Sequence, residues 1–322
     1  MRWYGLSYAI GMLLGWSVLR WMSSTGRSPL NKIQIDNFAT AIILGLLVGG
    51  RVGHVAFYEP HLFTHFSSSF PFWGLLEIHR GGMSSHGGII GIAIACIWFG
   101  RRNNVSILHL GDLACLVAPI GVGLGRLANW VNGELWGKPL DVASQQAPPW
   151  WSVKYPAEMF EPGFWQRLKP EELDGLKKAA SAIAVRTGDA AKDLPQILHD
   201  ACYAGNQQII DVVAPFLTAR YPSNFIQAFT DGVVLLAAVA IVWLRPRKPG
   251  TIFGTFFLTY GILRVFSEQF RVPDPDIFTV GPVTLPMILS GAMVAVGVGA
   301  ITFAARSSAT PLGGLLPRSS TT

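Results

Sequence analysis

Arginine is costly in hydrocarbon, yet three arginines are written into apolar stretches of this sequence: Arg51 in ILGLLVGGRVGHV, Arg126 in APIGVGLGRLANWVNGELWG and Arg264 in FGTFFLTYGILRVFSEQF. A charge at the bilayer centre costs about 2.5–3.5 kcal/mol on insertion scales, so each one calls for a functional reason. Polar partners accompany them. Tyr260, Arg264, Glu268 and Arg271 fall at i, i+4, i+8 and i+11, one stripe of a helix. Arg126 and Asn129 are i, i+3 neighbours, with Asn132 and Glu134 continuing the polarity, and His86 stands among glycines in GGMSSHGGIIG that let a backbone or a headgroup come close. Guanidinium forks hold phosphate bidentately, and most strongly in a low dielectric. These residues point to a membrane protein that handles an anionic phospholipid headgroup or a similar ligand. Structural ion pairs, Arg264 with Glu268 or Arg126 with Glu134, remain open for the same residues. Arg51 and His54, after a Gly-Gly pair, are open between substrate contact and structure, and Asp112 reads as structural.

The elements that position these residues are apolar runs. Half of the 322 residues are hydrophobic, 14% are charged and mean hydropathy is +0.38, which excludes an ordinary soluble domain. Runs of about 20 apolar residues occur at Trp3–Trp21, Phe38–Tyr58, Ser84–Phe99, Ile107–Val131, Phe225–Leu244, Ile252–Phe270 and Val283–Phe303. The fold class expected is an all-α polytopic membrane protein with seven transmembrane helices. Arg20, Arg27, Lys32, Arg101, Arg102, Arg245, Arg247, Lys248, Arg306 and Arg318 fall in alternate loops, whereas the others carry Glu59, His61, His65, Glu77, His79, Arg80, Asp274 and Asp276. The positive-inside rule then puts the N-terminus outside and the C-terminus in the cytoplasm. With about 1.5 Å per residue from the cytoplasmic ends, Arg51 lies about 20 Å up, Arg264 about 18 Å and Arg126 about 28 Å in a core of about 30 Å. All three reach the outer half.

The net charge of +6 is accounted for by cytoplasmic loops facing anionic lipid and calls for no nucleic acid. Cys96 and Cys115 lie in spans and Cys202 stands alone, so no disulfide framework or CxxC site is available. His61 and His65 lack an HExxH context, and no metal is expected. The opening MRWYGL run also has features of a signal peptide, but no small-x-small cleavage pattern follows it, and it is read as the first span. Gly45, Gly49 and Gly53, with Gly121 and Gly125, read as close helix packing. Tyr4 reads as an interfacial anchor. The domains expected are helices 1–4 in 1–137, a mostly helical head in 138–221, helices 5–7 in 222–305 and a disordered tail in 306–322. Within the head, KPEELDGLKKAASAIAVRTG reads as a helix from Pro170 to a stop at Gly188, followed by two further helical patterns.

Six stretches occur in an order that resembles the prolipoprotein diacylglyceryl transferases: RWYGLSYAIG, GGRVGHVAFY, GGMSSHGGIIG, GRLANWVNGELWG, YPSNFIQAFTDGVV and LTYGILRVFSEQFRVPD. The resemblance covers nearly all of the membrane part. It implies a bacterial inner-membrane enzyme with its active site facing the periplasm and the insertion as a periplasmic head. The reaction implied moves the diacylglyceryl group of phosphatidylglycerol onto the lipobox cysteine thiol of a prolipoprotein signal peptide, with no cofactor. By the same resemblance Arg126 and Arg264 match paired essential arginines, His86 the histidine of an HGG motif, and Tyr4, Asn129, Glu134 and Gly137 further functional positions. Tyr260, Glu268 and Arg271 match the stripe on the sixth span, while Asn132 and Arg51 are candidates from the residues themselves. His86 is the candidate general base, its ordinary pKa of about 6.5 suiting proton transfer near neutrality. The chain departs from the pattern at Tyr221, Asn224, Ile226 and Gln227, where the family usually carries His, Gln, Tyr and Glu, and in a long outer block. A transporter or flippase for an anionic lipid uses buried arginines too, although no inverted repeat is visible. A catalytically inactive lipid-binding member is the third possibility.

Overall fold

The computed structural model describes residues 3–68, 70–77, 81–187, 192–273, 279–280 and 283–316. His79, Arg80, Gly188, Asp274, Asp276 and Arg318, used above, lie outside them. The chain is mostly helical. Helices α1 (Trp3–Ser24), α2 (Lys32–Phe57), α3 (Ser85–Asn103) and α4 (Ile107–Val131) come first. Short helices α5 (Val142–Gln146) and α6 (Pro162–Gln166) follow, then α7 (Pro170–Thr187), α8 (Leu194–Tyr203) and α9 (Gln207–Val213). A helix from Ser223 to Val242 comprises α10 (Ser223–Gln227), a π-helical stretch Ala228–Val234 and α11 (Leu235–Val242). Helix α12 (Thr251–Glu268), a two-residue strand pair β1 (Thr279–Val280) and β2 (Val283–Thr284), and α13 (Leu285–Arg306) complete the order. Among the described residues, four helices, Lys32–Phe57, Ile107–Val131, Ser223–Val242 and Leu285–Arg306, are long and apolar enough to cross a bilayer. The other three expected spans coincide with helices α1, α3 and α12.

The helix ends follow local chemistry. Asn31 and Gln34 form a reciprocal capping box at α2, their side chains and backbone N–H groups bonded at 2.8 and 3.0 Å. Ser84 caps α3 through the Gly87 N–H at 3.3 Å, and Asn104 ends that helix in the left-handed region at φ 54°. Helix α12 borrows its cap from another helix. The two carboxylate oxygens of buried Asp112 accept from the N–H groups of Gly250 at 2.8 Å and Phe253 at 2.7 Å.

Two compact units emerge, one of Met1–Gly125, Ala228–Phe266 and Thr279–Thr322, the other of Arg126–Gln227 and Ser267–Phe278. In the first, Leu19, Phe38, Phe99, Leu113, Val239 and Trp243 belong to one buried cluster. Glycines set its closest approaches: a Cβ on Gly53 would lie 2.7 Å from Gly87 Cα, and one on Gly232 would lie 2.9 Å from Gly123 Cα. In the second unit Met159, Phe164, Leu176, Leu198 and Val213 form the core. This unit begins at Arg126, ahead of the expected head boundary at Lys138, and it recruits the segment after α12.

Of the expected tail, residues 306–316 are among those described, and they pair with the chain that follows α11. Arg247 and Leu312 exchange backbone hydrogen bonds at 3.0 and 2.7 Å, and Leu315 and Leu316 N–H groups donate to the carbonyls of Trp243 and Leu244. Gly313, at φ 78°, lies against the Trp243 indole, and the indole N–H donates to the Leu312 carbonyl at 3.1 Å. Composition alone hid this strap, because the strap is held largely through its own backbone groups and a left-handed glycine.

Candidate functional site

In the second unit the motif GRLANWVNGELWG turns from helix to extended chain. Arg126 is half-buried on the last turns of α4 and Asn129 is buried one turn later. The helix stops at Val131 because Gly133 takes φ 68°, which lets the Glu134 N–H reach the Asn129 carbonyl at 2.9 Å. Leu135 is also left-handed, at φ 55°. The chain then runs extended beside the residues after α12, with Val272 N–H on the Trp136 carbonyl at 3.0 Å and Lys138 N–H on the Phe270 carbonyl at 2.9 Å. This pairing sets Gly137 opposite Arg271. On its other side, a Cβ on Gly137 would lie 2.8 Å from the Tyr221 carbonyl carbon, so only glycine fits.

The same turn is held by groups that the spacing argument passed over. Ser223 Oγ donates to the Leu135 carbonyl at 2.9 Å, and the Asn224 amide donates to the Glu134 carbonyl at 2.9 Å and contacts the Tyr155 hydroxyl at 3.3 Å. Arg220 donates to the Gly137 carbonyl at 3.3 Å, stacks 4.9 Å over the Trp136 ring and pairs with buried Glu158 at 3.7 Å. Arg167 meets the same carboxylate at 3.0 Å. Burial pulls the Arg220 guanidinium below its ordinary pKa while the neighbouring Glu158 opposes the shift, and burial pushes the Tyr155 phenol up to about 12. Trp136 and Tyr155 stack at 5.8 Å. These groups fix the backbone from Gly133 to Gly137.

The first unit carries Tyr4, Arg51, His86, Tyr260 and Arg264. His86 is the second residue of α3, exposed, beside glycines that are packed on α2: the close approach permitted by the HGG glycines is taken up by another helix backbone. Buried Arg51 donates to the carbonyls of Gly74 at 2.7 Å, Leu75 at 2.8 Å, Gly81 at 2.9 Å and Gly82 at 3.2 Å. Its guanidinium fastens the loop that leads into His86, which favours the structural side of the choice left open by the sequence. His54 lies 3.3 Å from Glu59 and stacks on Tyr58. Half-buried Tyr4 has its ring 6.4 Å from that of Tyr8. Arg264 is buried, and half-buried Tyr260 stacks on Phe256 at 5.8 Å.

One expectation changes. Arg271 does not continue the helical stripe of Tyr260, Arg264 and Glu268, because α12 ends at Glu268 and Arg271 sits in the extended pairing with Gly137. Glu134 is exposed, while Asn132 is half-buried and Glu268 and Arg271 are buried. Spacing reasoning also passed over Ser223, Thr230 and Asp231, which with Asn224 and Gln227, named above only as departures from the family pattern, form a buried polar series on the helix Ser223–Val242. Its signal was present, since these residues recur every three or four positions in an apolar run. Asp231 lies within the π-helical stretch, a geometry frequent at functional positions, and accepts from Thr230 Oγ1 at 3.2 Å. Among the described residues, no group of three or more His, Cys, Asp or Glu is placed to hold a metal ion.

Comparison with known proteins is extensive. The sequence profile of the prolipoprotein diacylglyceryl transferases matches residues 1–303. A phosphatidylglycerol–prolipoprotein diacylglyceryl transferase of Bdellovibrio bacteriovorus is 38% identical over 316 residues, covering 92% of this chain and 87% of that protein. Proteins of the same name from Bradyrhizobium diazoefficiens and Rhodopseudomonas palustris are 31% and 32% identical, covering 96% and 92% of this chain and 89% and 84% of theirs.

Proposed function

The chain belongs to the prolipoprotein diacylglyceryl transferase family, and we propose that it transfers the diacylglyceryl group of phosphatidylglycerol to prolipoproteins, the first step of lipoprotein maturation. The observation that carries this is the match over residues 1–303 together with 38% identity along most of a named relative. It is a transferase, and its apolar helices fit a multi-pass membrane protein.

Finer points extend that reading. The acceptor is the thiol of the lipobox cysteine, and the protein crosses the inner membrane seven times, N-terminus outside, with its site on the periplasmic side. The thiol loses its proton, sulfur bonds to the glyceryl carbon, that carbon's bond to the phosphate oxygen breaks, and glycerol phosphate leaves. Charge grows on the phosphate as the bond breaks, so fixed cations stabilise the transition state more than the ground state. Arg126 and Arg264 take that role; buried Arg264 is supported by its low-dielectric setting. His86 takes the thiol proton; its position on the exposed first turn of α3 leaves its ring accessible to a substrate. Tyr4, Asn129, Asn132, Glu134, Gly137, Tyr260, Glu268 and Arg271 shape the binding site. Arg51 contributes through the loop it fastens, a positioning role supported by its four bonds to backbone carbonyls.

The function is tested with purified protein, phosphatidylglycerol vesicles and a lipobox peptide, with the product mass as readout. A peptide heavier by one diacylglyceryl group on cysteine supports the reading; unmodified peptide at every enzyme concentration refutes it. The base role is tested separately by the pH–rate profile of His86→Gln, which should fall in rate and change in shape relative to the wild type. An unshifted profile at wild-type rate removes His86 from the chemistry.

A further inference from the structure

The double tryptophan of APPWWSV, in the head, takes no part in the chemistry above. We propose that the turn Pro149–Ser152 is a membrane anchor, seating the Trp150 indole at headgroup level in the leaflet where the Ser223–Val242 span begins. Ser152 closes the turn, its N–H and its Oγ both donating to the Pro149 carbonyl, at 2.9 and 2.8 Å. Trp150 and Trp151 are therefore the two central residues. Trp151 folds back and stacks on Tyr221, ring centroids 5.9 Å apart, whereas Trp150 is 95% exposed.

The tether sets the height of the turn. Val153 and Arg220 exchange backbone hydrogen bonds at 3.0 Å in both directions. Arg220 precedes by three residues the Ser223 at which an apolar helix long enough to cross the bilayer begins. Three residues of chain span at most about 10 Å. The turn therefore lies at the root of the head, where lipid headgroups are within reach. Aromatic surface continues into the span itself: Trp130 and Phe225, packed at 4.8 Å, are 40% and 39% exposed. An indole with an apolar body and one N–H prefers the interface, where the ring meets acyl chains and the N–H meets water. The proposal rests on reading Ser223–Val242 as a span, and not on the transfer reaction.

Nitroxide labels test it, with the full chain in phosphatidylglycerol-containing bilayers and Cys202 replaced by Ala. Labels are placed singly at Trp150→Cys, at Val185→Cys on exposed α7 as a water reference, and at Phe229→Cys, 59% exposed within the span, as a lipid reference. Collision rates with oxygen and with a water-soluble nickel complex give depth. The label at 150 should favour oxygen and report a position about 5–10 Å into the headgroup–acyl boundary, while that at 185 favours nickel. Nickel reaching 150 as freely as 185 would overturn the anchor. A label at 150 that is wet in the bilayer but shielded when a lipobox peptide is added would overturn it in favour of a polypeptide-binding surface. If 229 is wet as well, the span itself fails and the anchor fails with it, whereas thioether formation tests the transfer reaction independently.

Discussion

Gly137 has no room for a side chain, because Tyr221 backbone atoms stand where its Cβ would be, while Arg271 pairs with its other edge. Gly137→Ala must push one of these strands away, an overpacking cost of about 1–3 kcal/mol. Thermal unfolding should show that loss, and transfer activity should fall with it. Gly125→Ala is the matched control: an added Cβ there meets nothing within 4 Å, so the melting temperature should hardly move. Cys202 yields a second prediction at this scale. Burial pushes its thiol from 9.0 up to about 11, so below that pH it remains in the neutral, unreactive form. Alkylation by iodoacetamide should be slow at pH 8 and accelerate as pH rises toward 11; fast labelling at pH 8 would show that the half-buried setting of this thiol does not hold it neutral. Arg51 shows what residue type leaves open: the sequence admits substrate contact or structure, and the guanidinium donates to four backbone carbonyls.

Helix α12 carries Tyr260, Arg264 and Glu268, and its first turn is held by Asp112 of α4 through the N–H groups of Gly250 and Phe253. A cap removed to alanine usually costs about 1 kcal/mol, and here buried N–H groups are left without a partner as well. Asp112→Ala should therefore lower the melting temperature and reduce kcat more than it raises KM, since small displacements of catalytic groups are expensive. Asp112→Asn, which keeps one acceptor, should recover part of both; equal kcat in all three proteins would remove α12 placement from the account. The apolar runs made the long helices legible, and acids near Pro170 made α7 legible. The end of α12 was not. Period counting carried the stripe to Arg271, whereas backbone pairing with Trp136 and Lys138 draws residues 270–272 into extended chain, a tertiary interaction that no local pattern encodes. For the same reason the parts played by Asn224 and Arg220 in holding the GRLANWVNGELWG turn were hidden, although the buried polar series starting at Ser223 was readable as a helical face.

For the molecule as a whole, the distribution of Lys and Arg is the basis of the proposed orientation, in which the head lies on the outer side. A cysteine placed at Val185 should react with an impermeant maleimide in intact spheroplasts, and one placed at Ser308, beyond α13, should react only after the membrane is opened. The reverse pattern would invert the proposed topology. The central claim is that fixed arginines drive departure of glycerol phosphate as the thioether forms. It is tested most directly by single-turnover release of glycerol phosphate from phosphatidylglycerol in the presence of a lipobox peptide, comparing wild type with Arg126→Gln and Arg264→Gln. Removal of a transition-state donor typically lowers the rate by about 10²–10³-fold. The account predicts losses of that order in each variant, with release and thioether formation in equal amounts in the wild type. Release at the wild-type rate in both variants, or release without thioether, would contradict it.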